Sequence, residues 1–266
     1  MLITRTKSKR NNSWKCLLNK HAWIPGAMIL LASCPGVNVE DPTPPSKPEW
    51  VQKSLPEEWP ERGIDAHESG GIYLEWQANF DEDIVAYTIY KTVYYEAKDS
   101  LGDYSVLARL GINSYPDPEY IDGFVDVNTI YYYKIMAEDA TGNTSELSEA
   151  VSYKLLLQIK NEFMTPSGQS TPLGSSRQLT WFTLTQIDLE DYHITLLSQE
   201  NEFLSRVWKQ PGSYTGDPES WQIPEDIILE PGSIYKWKID VGAKYIDERE
   251  TEGSESPWAY FIYTGN

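Results

Sequence analysis

The chain is poor in cysteine, histidine, basic residues and long apolar runs. Its 266 residues include two cysteines, Cys16 and Cys34, and three histidines. No histidine lies at metal-ligand spacing from a cysteine or another histidine, so a zinc site has no basis. With 40 acidic residues against 22 basic ones, the chain repels nucleic acid, which excludes DNA and RNA as partners.

Catalytic motifs are missing as well. The sequence has no Gly-x-Ser-x-Gly elbow, no phosphate-binding glycine loop and no nucleophile beside a base. Two acidic runs, Asp81-Glu82-Asp83 and Asp188 with Glu190-Asp191, could offer oxygen ligands to calcium. Their spacing matches no EF-hand loop, and solvated loops explain them better. We therefore expect a protein that is not an enzyme and needs no cofactor and no metal.

The N-terminal segment is basic, then apolar, then small. No acidic residue precedes Glu40, and an apolar run extends from Ala22 to Ala32. Six basic residues stand before that run: Arg5, Lys7, Lys9, Arg10, Lys15 and Lys20. This order is typical of a secretory signal. A membrane-spanning helix is disfavoured, because the run is far shorter than the ~20 residues that cross a bilayer and Pro25-Gly26 interrupts it.

The segment ends in Leu31-Ala32-Ser33-Cys34, which resembles the lipobox of bacterial lipoproteins. The resemblance implies that residues 1–33 are a lipoprotein signal peptide and that lipid is attached to the sulfur of Cys34. An ordinary signal peptide and an uncleaved helix anchor are the alternatives. Residues 34–44 read as a Pro-rich tether, which a lipid-anchored module needs as a spacer. Pro35, where some bacteria place a retention aspartate, favours the outer membrane, with the periplasmic face or the cell surface left open.

Cleavage would make the rest of the chain still more acidic. The remaining 16 basic residues against 40 acidic ones give a net charge of about −24, compared with −18 for the whole sequence. Such a surface favours solubility and is repelled by anionic lipid headgroups. With Cys34 lipidated no internal disulfide can form, so a hydrophobic core alone must hold the fold.

The rest of the chain contains one unit twice. Three motifs recur in the same order at a shift of 104 or 105 residues: Leu74-x-Trp76 as Leu179-x-Trp181, Tyr87-x-Ile89 as Tyr192-x-Ile194, and Tyr131-x-Tyr133-x-Ile135-x-Ala137 as Tyr235-x-Trp237-x-Ile239-x-Val241. Large apolar residues alternate with polar ones in each motif, as in half-buried strands, and turn residues separate the motifs. We predict an all-β chain of two consecutive β-sandwiches. Their cores should contain Trp76, Tyr87, Tyr131, Trp181, Tyr192 and Tyr235.

Four stretches of the first unit carry a family pattern: Pro45-Ser46-Lys47-Pro48, Leu74-Glu75-Trp76, Asp83 to Lys91, and Tyr131 to Ser145. With them, residues 45–153 resemble a bacterial fibronectin type III domain. The resemblance implies an immunoglobulin-like sandwich in which Trp76 packs between the sheets, the Tyr131 hydroxyl bonds to nearby backbone, and Gly142-Asn143 forms the last tight turn. Residues 154–266 resemble a divergent member of the family, with a longer acidic loop at about Lys244 to Gly253.

These features favour a lipid-anchored cell-envelope protein that works as a non-catalytic adhesion, spacer or protein-interaction module. Its contacts would be the membrane, through the lipid, and an envelope or extracellular protein or glycan. The alternative is a carbohydrate-binding surface lipoprotein whose loop aromatics stack against sugar rings. Trp208, Tyr214 and Trp221 are the candidates for that role, because they lie in or beside a Gly/Pro/Ser-rich loop. The competing interpretation is that each covers its own sandwich edge.

Overall fold

The protein is built from strands. The computed structural model describes residues 42–52, 62–111, 118–183, 189–211, 216–246 and 249–265. These ranges contain 17 strands, two 3₁₀ turns (Glu96–Lys98 and Asn161–Phe163) and no α-helix, which confirms the predicted all-β class. No helix found in them has the length and apolar character needed to cross a membrane. The predicted signal segment and Cys34 lie outside the described residues.

The first sandwich contains eight described strands: β1 (Ile64–Ala66), β2 (Ile72–Glu75), β3 (Ile84–Tyr95), β4 (Ser100–Leu101), β5 (Ser105–Gly111), β6 (Glu119–Asp122), β7 (Ile130–Asp139) and β8 (Val151–Leu155). Strands β1, β2 and β6 form one antiparallel sheet. Strands β5, β3, β7 and β8 form the facing sheet, and the short β4 pairs with the end of β3. Along β7 the predicted inward set is buried: Tyr131, Tyr133, Ile135 and Ala137.

The second sandwich contains nine described strands: β9 (Met164–Thr165), β10 (Pro172–Leu173), β11 (Gln178–Trp181), β12 (Asp191–Ser198), β13 (Phe203–Lys209), β14 (Glu219–Gln222), β15 (Ile234–Ile246), β16 (Arg249–Glu255) and β17 (Ala259–Tyr263). Strands β14, β11 and β9 form one sheet. The other sheet has β15 at its centre, paired with β12, β16 and β17, and β13 on the far side of β12. Strand β10 adds to β17 in parallel.

Each sandwich has its own hydrophobic core. One core extends along the chain from Trp50 to Leu155, and the other begins at Ile159. Both cores centre on an edge-to-face pair with ring centroids 5.4 Å apart, Trp76 with Tyr87 and Trp181 with Tyr192. The two interplanar angles, 77° and 76°, show that the sequence repeat is also a repeat of packing geometry. Such pairs add to the free energy gained from burial alone.

A tyrosine hydroxyl fixes the same corner in both sandwiches. The Asp126 backbone N–H donates to the Tyr131 hydroxyl at 3.0 Å, and the Glu230 N–H donates to the Tyr235 hydroxyl at 2.8 Å. The expected bond between Tyr131 and nearby backbone is thus confirmed. The turn predicted at Gly142-Asn143 is also present, since Gly142 has a φ of 90°, a conformation that glycine adopts without strain.

The prediction of a long acidic loop at about Lys244 to Gly253 is wrong. Strand β15 continues to Ile246 and β16 begins at Arg249, so most of this stretch is a hairpin. Its pairing extends from Asp240 opposite Glu255 to Ile246 opposite Arg249. The acidic composition is typical of a solvated loop, but backbone pairing with β15 continues through this stretch, and β8 of the first sandwich pairs with β16 at Glu252 and Gly253.

Candidate interaction surfaces

The two sandwiches meet through a strand pair. Strands β8 and β16 are parallel, with Lys154 opposite Glu252 and Leu155 opposite Gly253. The Leu156 N–H, just past β8, donates to the Gly253 carbonyl at 2.8 Å. This pairing joins one sheet of the first sandwich to one sheet of the second, so a single hydrogen-bonded sheet passes through the junction.

Side chains strengthen the junction. The Lys154 Nζ lies 3.0 Å from Glu252 Oε2, and both side chains are largely buried. The Gln158 amide donates to the Glu68 carbonyl of the first sandwich at 2.7 Å and to the Glu255 carbonyl of the second at 2.8 Å. One side chain therefore bridges the two sandwiches. Because hydrogen bonds are directional, these contacts favour the one angle between the sandwiches that the structure has.

The aromatic candidates occupy different places. Trp208 lies on β13 opposite His193 and is 60% exposed, on the face away from the core. Trp221 lies on β14 opposite the buried Leu179 and packs against the second core. The structure thus places these two rings on different sheets. Tyr214 lies outside the described residues, and a glycan-binding role for the three stays a prediction.

Asp81, in the first acidic run, stabilises the local fold through hydrogen bonds. Asp81 accepts hydrogen bonds from the Ser46 N–H at 3.2 Å and from the Ser46 hydroxyl at 2.6 Å, and these bonds lower the pKa of the Asp81 carboxyl. They tie the entering chain to the β2–β3 loop. In the described ranges, no group of three or more His, Cys, Asp or Glu residues could hold a metal ion. Asp188, in the second run, is outside those ranges.

His193, for which the sequence predicts no functional role, is a buried titratable group. It lies on β12 between Trp208 of β13 and Asp240 of β15. Burial, with a smaller contribution from the charge of Arg206, lowers the pKa of His193 to about 2. Burial likewise raises the pKa of Asp240, against the opposing charge of Lys238. Strand alternation places His193 on the outer face, and only the strand register shows that neighbouring side chains cover it.

Acidification is expected to destabilise the second sandwich through His193. The folded imidazole stays neutral down to about pH 2, whereas in the unfolded chain it takes up a proton near its ordinary pKa of 6.5. The folded state therefore binds fewer protons in this window, and stability falls as the pH drops below 6.5. The expected loss is about 2 kcal/mol between pH 7.5 and pH 5. Asp240 acts in the opposite sense, because its raised pKa lets the folded state take up a proton first.

Thermal unfolding of the wild type and of His193→Phe at both pH values measures this effect. The variant should lose less stability on acidification than the wild type, because the unfolded variant has no imidazole to protonate. Equal losses in the two proteins would show that another group makes the sandwich acid-sensitive.

Comparison with known proteins identifies no family for the chain. No family model matches it, and no curated protein matches it. Among solved structures, the FN1–FN3 domains of chicken CNTN1 are similar, with a TM-score of 0.35 and 13% sequence identity over 83% of this chain and 68% of that chain. The sheets and cores described above define the class directly: an all-β protein built from two immunoglobulin-like sandwiches.

Proposed function

We propose that the chain is a lipid-anchored protein of the cell envelope whose two sandwiches work together as a rigid, non-catalytic spacer and protein-interaction module. The pairing of β8 with β16 carries the proposal. A freely hinged pair of domains would present a partner site over a wide range of positions. A sheet that passes through the junction holds the second sandwich at a fixed orientation to the first, which suits a spacer.

Three features of the sequence support a fold that is tethered to a membrane through lipid and held off the membrane surface. Leu31 to Cys34 resembles a lipobox, and residues 34–44 form a Pro-rich spacer between lipid and fold. The net charge of about −24 after cleavage keeps the sandwiches away from anionic headgroups. Because a buried methylene contributes about 0.8 kcal/mol, stable anchoring requires several acyl groups, as the lipidated cysteine of a lipoprotein carries.

The anchor is tested by replacing Cys34 with serine. We expect the wild type to fractionate with membranes and to incorporate a labelled fatty acid, and Cys34→Ser to be soluble and unlabelled. Cys16→Ser is the matched control, because it removes the other cysteine of the chain and should leave both properties unchanged. Membrane fractionation of Cys34→Ser at the wild-type level would contradict lipid attachment at this residue.

A further inference from the structure

A groove of about 850 Å³ opens at the end of the second sandwich that lies away from the junction. One wall is the turn between β12 and β13, and the other is the loop between β14 and β15. Ser198, where the turn begins, lies opposite Tyr235 near the start of β15. Gly253 of β16, which pairs with the first sandwich, lies opposite Gly242 of β15. At a rise of about 3.3 Å per residue, the groove is roughly 23 Å along β15 from the junction. The first sandwich therefore leaves it open.

The walls of the groove are fixed before any ligand arrives. The Arg177 guanidinium donates to the Pro224 carbonyl at 2.8 Å and to the Ile227 carbonyl at 2.5 Å, which holds the β14–β15 loop. In the β12–β13 turn, the Ser198 N–H donates to the Glu202 carbonyl at 2.8 Å, and the Glu202 N–H donates to the Ser198 hydroxyl at 3.0 Å. A preformed site loses little conformational entropy on binding.

The rim combines apolar side chains with negative charge. Phe203 is 44% exposed and Ile228 is 74% exposed. Four exposed carboxylates surround them: Glu200, Glu202, Asp226 and Glu230. Among the described residues, none that lines the groove is a lysine, arginine or histidine, and none of the four carboxylates forms an ion pair.

The rim carboxylates have no counterpart in the buried ion pair of the first sandwich. In that pair the Lys91 ammonium lies 2.6 Å from the buried Asp122 carboxylate. The strand register places the buried Ile223 at the position of Asp122, and a shift of 105 residues places the buried Leu196 at the position of Lys91. The second sandwich therefore has an apolar pair where the first has an ion pair, and Asp226 lies outside this core, exposed at the rim.

We propose that this groove binds a cationic segment of a partner protein in which lysine or arginine side chains flank an apolar residue. The apolar residue contacts Phe203 and Ile228, and the cations pair with the four carboxylates. Complementary charge excludes an acidic partner and steers a basic one toward the site. The proposal rests on the role as an interaction module and names the chemistry of its partner.

The test uses the full-length protein in detergent and a fluorescein-labelled, amidated dodecapeptide of alternating lysine and leucine. Fluorescence anisotropy should report binding that becomes at least about tenfold weaker when the rim carboxylates are neutralised. That variant combines Glu200→Gln, Glu202→Gln, Asp226→Asn and Glu230→Gln. The matched control removes the same charge from exposed positions of the first sandwich, by Glu82→Gln, Glu96→Gln, Asp103→Asn and Glu146→Gln. It should keep most of the affinity.

Further measurements distinguish binding in the groove from nonspecific attraction between the charges of peptide and protein. Phe203→Ser with Ile228→Ser should also weaken binding, and an all-lysine peptide of equal length should bind less tightly than the mixed one. Equal weakening in the two charge variants, or tighter binding of the all-lysine peptide, would overturn the proposal. So would a dissociation constant above about 1 mM for the mixed peptide, or its complete displacement by millimolar calcium.

The outcome is independent of the anchor. Cys34→Ser should bind the peptide with unchanged affinity, because the groove lies in the folded part of the chain. Failure of lipid attachment and failure of peptide binding are therefore separate results.

Discussion

Replacing Trp181 with alanine is expected to destabilise the second sandwich by about 3–5 kcal/mol. Trp181 is fully buried on β11 and packs edge-to-face on Tyr192. The centroid of its ring lies 6.3 Å from the centroid of the Trp237 ring. Alanine would leave a cavity between the two sheets that rigid strands on both sides cannot close. A typical domain is stable by only about 5–15 kcal/mol, so this loss approaches complete unfolding.

Two variants on the same sandwich serve as controls for Trp181→Ala. Trp208→Ala removes the same type of side chain from the outer face, where Trp208 is 60% exposed, and should cost clearly less than Trp181→Ala, its main cost being the lost contact with His193. Trp181→Phe should be milder than Trp181→Ala, because it keeps an aromatic ring in contact with Tyr192. Chemical denaturation followed by circular dichroism measures all three. Near-wild-type stability of Trp181→Ala would show that the core is assigned incorrectly.

Replacing Asp122 with alanine is expected to destabilise the first sandwich by a similar amount, about 3–5 kcal/mol. The fully buried carboxylate accepts hydrogen bonds from the Tyr133 hydroxyl at 2.9 Å and the Phe124 N–H at 3.0 Å, and it pairs with Lys91. Alanine would leave a largely buried ammonium without its counter-charge and a buried hydroxyl without its acceptor. Burial is also the main reason that the pKa of Tyr133 is raised far above its ordinary value, so the phenol remains a neutral donor.

A double variant distinguishes the charge effect from lost packing. Lys91→Met with Asp122→Leu removes both charges and should recover much of the stability that Asp122→Ala loses, because an apolar pair of similar volume often replaces a buried ion pair without loss. Denaturant unfolding of the single and double variants gives the comparison. A double variant less stable than Asp122→Ala would mean that the ion pair itself contributes the stability.

The parts of the fold that depend on local sequence were predictable. Alternation of apolar and polar residues identified the inward faces of the strands, and the shift of 104 to 105 residues identified the second copy. Both follow from the two-residue period of a strand and require no knowledge of its partners. The packing of Trp76 against Tyr87, repeated by Trp181 and Tyr192, is a consequence of that period in both copies.

The parts that depend on pairing between distant segments were not predictable. The acidic composition of the β15–β16 hairpin is typical of a loop, and composition does not show that β16 pairs with β8, where Glu252 lies opposite Lys154, 98 residues earlier. His193 is buried because the strand register places Trp208 and Asp240 beside it, and amino-acid composition does not predict strand register. The groove likewise requires the β12–β13 turn and the β14–β15 loop to lie at one end of the sandwich.

The claim that the two sandwiches form one rigid body is tested most directly by a distance between them. Spin labels at Val106→Cys on β5 and Gln222→Cys on β14, both exposed positions, would be placed in a chain that carries serine at Cys16 and Cys34. Double electron–electron resonance should give one narrow distance distribution, which broadens when Gln158→Ala and Glu252→Ala remove the junction contacts. A broad distribution in the protein with an intact junction would contradict the rigid joint and the spacer role built on it.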